Sequence, residues 1–257
     1  MPSANFLLYF VRMLSSKEIK WIISLKNKKY RYIHRAFIAE GPKLVNDLLI
    51  NGLKPIKILK VADYLADFTA FNDKVVVVEP SVLQKVSCLQ TAHQVLALFE
   101  MPDDSNMVHH PVGEWGIALD FIQDPGNLGT IIRTMNFLGI QHIYCSEDSV
   151  DVYNPKVVQA SMGAIGRVKV SYVDLPTFLI GQPFPVYVTD MLGQSIAMLK
   201  LQPGVIVFGN EGNGVRPILK EQIQQHISIP KYGEGESLNL AIATAIVGGW
   251  IKMKENG

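Results

Sequence analysis

Apolar residues follow two rhythms along this chain, and the rhythm changes from one short segment to the next. Ser15 or Ser16 caps a stretch that runs helically to about Leu25, and Ala36 to Ala39 is a short apolar strand. Gly41-Pro42 opens a helix through Ile50, which Asn51-Gly52 stops. Ile56 to Val61 and Lys74 to Val78 read as strands, the second a nearly continuous β-branched run. Pro80 to Val86 is helical, and Val95 to Glu100 is another strand. Residues 101–114 are polar, carry two prolines and lose all periodicity, which marks a linker. Strands then recur at Trp115–Asp120, Gln141–Cys145, Val168–Tyr172, Val186–Thr189, Val205–Phe208 and Ile227–Ile229. Helices come between them at Asn127–Leu138, Asn154–Ala160 and Pro217–Gln224. The last helix, Asn239 to Lys254, is apolar nearly all round, the pattern of a buried helix.

This order predicts an α/β protein: a small domain over 13–100, the linker, and a second domain over 115–257 with a mainly parallel sheet. Such sheets place ligands at the C-terminal ends of their strands. Residues 1–12 stand apart as an upstream extension. Their apolar run, Phe6 to Val11, is too short for a secretory segment, and Met13 begins a stretch that reads like a natural start.

Composition narrows the picture. Hydrophobic residues make up 48% and charged residues 18%, a balance that suits a compact core and excludes disorder. No apolar run approaches the roughly 20 residues of a membrane span. Cys88 and Cys145 form no motif spacing and read as free thiols, which points to the cytoplasm. His109-His110 has no further ligands at useful spacing, so no metal is expected and a solvated linker accounts for the pair. Net charge is +1, yet between Arg12 and Arg35 six cations face one acid, Glu18. With Trp21, Tyr30 and Tyr32 interleaved, that segment can bind a phosphate backbone and stack on bases, or can be a solvated helix face over buried aromatics.

Three loops carry candidate chemistry. The first, Asp124-Pro-Gly-Asn-Leu-Gly-Thr, precedes a helix whose Arg133 lies off the apolar stripe. Arg133 should lean back over Gly129 toward Asn127, where a cation and free helix amides suit a phosphate. An ion pair with Asp120 or Asp124 is the competing role. The second is Gly209-Asn-Glu-Gly-Asn-Gly214, directly after a buried strand. Its glycines let a ligand approach the backbone, and Glu211 can accept a hydroxyl, pair with Arg133 or cap the turn. The third runs from Pro230 through Glu236 and Ser237-Leu238-Asn239 into the last helix, with Ser237 and Asn239 both suited to cap it. No Ser-His-Asp order, carboxylate pair or metal spacing accompanies them, so positioning should dominate any reaction.

Together these segments resemble the SpoU (TrmH) family of RNA 2′-O-ribose methyltransferases in the SPOUT superfamily. Asn127-x-Gly129-x3-Arg133, Phe208-Gly-Asn-Glu211-Gly-x-Gly214, and Ile229-Pro230 with Glu236-Ser237-Leu238-Asn239 match its three motifs in order. The resemblance covers Trp115 to Lys254 strongly and Ser15 to Glu100 more loosely, as an L30-like RNA substrate-binding domain. It implies a SPOUT-type parallel sheet with a deep trefoil knot, and S-adenosylmethionine among the loops after Thr189, Gly209 and Ile229. Leu238 and Asn239 would complete that cofactor-binding set.

The resemblance assigns catalytic positions to Asn127, Arg133, Glu211, Ser237 and Asn239, with Arg133 as base or as phosphate clamp. It implies a homodimer through the C-terminal domain, and RNA as partner, with large-subunit ribosomal RNA favoured and no membrane. A transfer RNA methyltransferase and a non-catalytic RNA-binding protein that kept the fold are the alternatives. A nucleotide-binding regulator without RNA is a third.

Overall fold

The structure, a computed structural model, describes residues 14–103, 108–210, 212–235 and 237–255. The chain divides into two compact units, one reaching Pro102 and including Tyr153–Pro155, the other made of the remainder from Asp103 onward. The proposed extension, residues 1–12, lies outside the described residues.

Unit one is a four-stranded sheet of order β1-β4-β2-β3, formed by β1 (Ala36–Glu40), β2 (Pro55–Lys60), β3 (Val75–Val77) and β4 (Val95–Glu100). β4 pairs antiparallel with β1 and β2, and β3 lies parallel to β2. Helix α1 (Ser16–Ser24) begins where the sequence predicts, because Ser15 and Glu18 form a reciprocal capping box. Ile22 and Leu25 are fully buried against Ile38, Leu83 and Leu98. Burying each such side chain stabilises by about 1.5–3 kcal/mol. Helices α3 (Pro42–Ile50) and α4 (Pro80–Val86) also fall where the sequence places them. The buried Glu40 carboxylate accepts bonds from Ser87 Oγ (2.6 Å) and the Cys88 amide (2.5 Å), which offsets its desolvation.

One helix of unit one is absent from the sequence reading: α2 (Lys28–His34), capped by Asn27. Its only buried residue is Arg31, so no apolar stripe announces it.

Unit two is a six-stranded sheet of order β10-β8-β9-β5-β6-β7, parallel throughout. Its strands are β5 (Gly116–Leu119), β6 (His142–Ser146), β7 (Lys169–Val173), β8 (Val186–Ser195), β9 (Val205–Phe208) and β10 (Gln225–Ser228). Alternate residues Ala118, Tyr144, Val188 and Val207 join Leu175 and Leu219 in one core cluster. Those last two belong to α7 (Leu175–Leu179), which the sequence reading lacks, and α8 (Pro217–Gln222). Elsewhere in the unit, α5 (Pro125–Phe137) packs on α9 (Leu240–Glu255), and α6 (Pro155–Ser161) lies against Gly129 of α5.

Three expectations change here. The final helix is not buried all round. It buries a stripe of Leu240, Thr244, Val247, Gly248 and Ile251, while Ile242, Ile246 and Met253 face out. Strand β8 runs past Thr189 to Ser195, because β10 continues to pair with it there after a register shift. His110 is no solvated linker residue: it is buried, its Nε2 donates to the Glu114 carbonyl (3.1 Å), and its Nδ1 accepts from the Tyr144 hydroxyl (3.0 Å). Burial lowers its pKa below the ordinary imidazole value, in keeping with the neutral form these bonds require. Among the described residues no helix is long and apolar enough to cross a membrane, and no group of side chains is arranged to hold a metal.

Candidate functional site

Two helix N-termini are tied together in unit two. Asp124 caps α5, its carboxylate accepting from the Asn127 amide at 2.7 Å, and Pro125 pre-sets the first turn. Asn239 opens α9, its Oδ1 accepting from the Ala241 amide at 2.9 Å. The Asn239 side-chain amide then donates to Asn127 Oδ1 at 3.1 Å, across 112 residues of sequence. Asn127 and Asn239, both assigned by resemblance, are thus brought together.

Arg133 lies on α5 two turns in, exposed. Among the described residues no hydrogen bond or ion pair reaches its guanidinium. Neither carboxylate proposed for an ion pair reaches it: Asp124 caps α5, and Asp120 pairs with Arg216. The reason given for Gly129 also changes. A Cβ there would stand 2.5 Å from Ala160 Cβ and 2.8 Å from the Val157 carbonyl oxygen. Gly129 lets α5 and α6 touch; it is not a path for the Arg133 side chain.

The loop after β9 is braced from three sides. Asn210 and Gly214 exchange backbone bonds of 3.1 and 2.9 Å, closing the loop on itself. A Cβ on Gly209 would fall 2.0 Å from Gly214 C and 2.1 Å from Val215 N. The Cβ direction at Gly209 is therefore filled by its own loop, a packing role the sequence reading did not give it. Asn210 Nδ2 donates to the Phe121 carbonyl at 3.0 Å. Phe121 has φ +63°, strained for a bulky residue, and its amide donates to Ser146 Oγ at 2.8 Å. Beside it the fully buried Asp120 carboxylate accepts from Arg216 Nε (2.6 Å) and from the Arg216 amide (2.8 Å). Glu211 lies outside the described residues, as does Glu236.

A cavity of about 420 Å³ opens between the C-terminal part of β8 and the segment after β10. Met191, Ile227, Ile229, Pro230, Leu238 and Ala243 give it a mainly apolar wall. Thr189 and Ser237 also line it. The Thr189 hydroxyl donates to the Val207 carbonyl at 2.9 Å, so toward a ligand its oxygen can only accept. Asp190 lines the same wall, and its pKa is lowered by the bond from Lys220 (2.7 Å) and then by the Leu192 amide. The cavity collects Thr189, Ile229, Leu238 and Ser237 of the sequence-assigned residues, but neither Gly209 nor Asn239 is part of its lining.

Sequence reasoning missed Asp190, Met191, Tyr232 and the Asp120–Arg216 pair. Tyr232, 94% exposed in a glycine-bearing loop, was the one with a local signal. Neither cysteine is poised as a thiolate. Burial pushes Cys145 up to about 12 and Cys88 up to about 11, the latter helped by Glu40.

The profile of the SpoU rRNA Methylase family matches residues 114–248, and that of the MRM3-like substrate binding domain matches residues 16–97. The chain is 27% identical over 245 residues to 23S rRNA (guanosine(2553)-2′-O)-methyltransferase RlmP of Bacillus subtilis, spanning 92% of this chain and 96% of the relative. A TrmH-family structure from Porphyromonas gingivalis superposes with a TM-score of 0.84 at 36% identity, covering 96% of this chain and all of that one. The AdoMet-bound rRNA methyltransferase of Sinorhizobium meliloti gives a TM-score of 0.81 at 30% identity, over 96% and 97% of the two chains.

Proposed function

The chain belongs to the SpoU rRNA methylase family, and from that premise we propose that it methylates a ribose 2′-hydroxyl of large-subunit ribosomal RNA, with S-adenosylmethionine as donor. One observation carries the reading. The Asn239–Asn127 hydrogen bond ties the α5 motif to the residue that follows Leu238 in the cavity wall. A ligand in the cavity and a phosphate near the α5 N-terminus would therefore be neighbours.

The residues present suit that donor. The cavity volume lies in the range of small-molecule sites, about 300–1,000 Å³. Its wall is apolar, as an adenine ring requires, and it lies between the middle of β8 and the C-terminal end of the parallel strand β10. Thr189, Ile229 and Leu238 would hold the donor, with the loop of Gly209 behind them. When bound, S-adenosylmethionine supplies an electrophilic methyl group on a sulfonium centre.

The chain must then orient a weak nucleophile and ease the loss of its proton. A guanidinium keeps its proton at neutral pH, so Arg133 serves better as a clamp on the phosphate beside the reacting ribose than as a base. It is exposed and meets no hydrogen-bond or ion-pair partner among the described residues, which supports that role. Asn127, Ser237, Asn239 and Glu211 supply polar positions around the sugar. The lysines and Arg35 of the basic segment in unit one position the RNA through phosphate contacts, which carry no sequence information.

Ile242 and Ile246, one turn apart on the outer face of α9, support a homodimer through this unit. The family also implies a deep trefoil knot. In support of it, β10 returns to pair with β8 after β9 has been laid down, and the chain then crosses to α9 against α5. The reading places the protein in the cytoplasm.

The test is methyl transfer from labelled donor to purified ribosomal and transfer RNA, followed by mapping of 2′-O-methyl nucleosides. Incorporation at one ribosomal position is expected. Label in transfer RNA alone, or in neither RNA despite donor binding, refutes the assignment.

A further inference from the structure

Helix α2 of unit one is folded inside out. Its only buried side chain is Arg31, 2% exposed, whose Nη1 donates to the carbonyls of Leu25 (3.0 Å) and Lys26 (2.9 Å) just after α1. Tyr30 and Tyr32 are each 41% exposed, and Ile33 is 59% exposed. Charged side chains ordinarily take the outside and aromatic ones the inside. Here the guanidinium fixes the helix from within, and the rings are left facing out.

The outward rings are ordered. Tyr30 stacks on His34 with centroids 6.4 Å apart and planes at 16°, and His34 meets Trp21 of α1 edge-on at 6.0 Å. Lys28 Nζ stands 5.9 Å from the centre of the Tyr32 ring. The surrounding charge has one sign. Lys17, one turn before Trp21 on α1, and Lys28 and Lys29 are exposed and face no carboxylate among the described residues. Glu18, the one acid of the segment, is taken by Lys57 at 2.6 Å and by the Ser15 cap.

A lysine-rich surface is a poor protein interface, since lysine is depleted there. Double-stranded RNA is gripped through phosphates and 2′-hydroxyls and makes no use of aromatic planes. Exposed rings among unpaired cations fit unstacked bases with their phosphates alongside. We infer that α2 is a base-stacking platform, on which Tyr30 and Tyr32 take unpaired nucleotides while Lys17, Lys28 and Lys29 hold the flanking phosphates. The inference rests on the RNA-modifying reading above and adds that the substrate is engaged through an unpaired segment.

The test uses the full chain and two labelled RNAs of equal length, one unpaired and one a perfect duplex, titrated across a range of salt. The double substitution Tyr30→Ala with Tyr32→Ala should weaken binding of the unpaired RNA by about 30-fold or more. It should leave duplex affinity and the salt slope unchanged. Lys28→Gln with Lys29→Gln should instead flatten the slope for the unpaired RNA by about 0.7 per lost contact. Phenylalanine at both tyrosine positions should restore affinity, and the unchanged duplex affinity of the alanine variant excludes a folding defect. Equal losses on both RNAs, or no loss on either, overturns the platform. A changed molecular mass with unaltered RNA affinity assigns the face to a protein contact and also overturns it. If the parent chain binds no RNA at all, the RNA-modifying reading falls with it. If methyl transfer and RNA binding persist in the tyrosine variant, only the platform falls.

Discussion

Replacing Gly209 by alanine separates two accounts of the glycine loop. The sequence suggests that its glycines admit a ligand; the structure shows that Gly209 admits Gly214 and Val215. An added Cβ would meet three backbone atoms at 2.0–2.4 Å, and backbone cannot swing aside as a side-chain tip can. Overpacking of this kind costs about 1–3 kcal/mol. Parting the loop also breaks the two Asn210–Gly214 backbone bonds, worth about 1 kcal/mol each. Gly209→Ala should therefore destabilise unit two by about 3–5 kcal/mol. Gly214→Ala is the control. Its Cβ would enter open space, so only the cost of φ +68° remains, about 1–2 kcal/mol. Urea unfolding followed by circular dichroism ranks the two variants, and calorimetry measures donor binding just below the transition. A Gly209→Ala protein with a parental unfolding midpoint and more than tenfold weaker donor binding would refute the packing argument and restore the ligand account. Equal midpoints for the two variants would refute it too.

Three further outcomes follow from the same geometry. Arg133→Ala should change stability by less than about 0.5 kcal/mol, because the side chain is exposed and has no ion pair among the described residues, while methyl transfer falls at least ~100-fold; near-parental turnover would remove Arg133 from the mechanism. The Glu18 carboxyl is lowered from 4.5 to about 2, first by its bond from Lys57 and then by the Ser15 amide. Its ionisation stabilises unit one above about pH 4.5, and that gain is lost as pH falls toward 2. Glu18→Gln should flatten this acid limb of the unfolding midpoint, and an unchanged limb would deny the linkage. Ile242→Glu with Ile246→Glu should convert a dimer to a monomer in light scattering, whereas a monomeric parent would exclude the α9 interface.

Local chemistry was legible in the sequence and long-range contact was not. The Ser15–Glu18 box, the Gly41-Pro42 start and the Asn51-Gly52 stop are written within a few adjacent residues, and the helices obey them. Asn127 and Asn239 were singled out as loop and capping residues and by motif resemblance, yet their hydrogen bond spans 112 positions, and no periodicity encodes it. Asp120 and Arg216 stand 96 apart and escaped notice for the same reason. Helix α2 was invisible because a pattern search looks for buried apolar side chains, and this helix buries an arginine. The glycines deceived in a different way. A missing side chain marks a close approach, but sequence does not say whether a ligand, another helix or the chain itself makes it.

The arrangement of the cavity has a consequence for the order of events on the ribosome. One wall comes from Thr189 to Met191 and the other from Ile227 to Ala243. At roughly 5–20 residues per second, several seconds of synthesis separate the two. Five of the six strands of unit two are already encoded by Phe208, so a nascent chain can carry most of its sheet residues while lacking one wall of the cavity that we propose for the methyl donor. Donor binding thus reports on completed synthesis as well as on folding. With the donor in that cavity, a chain stalled before Ile227 would lack its second wall and be unable to modify RNA.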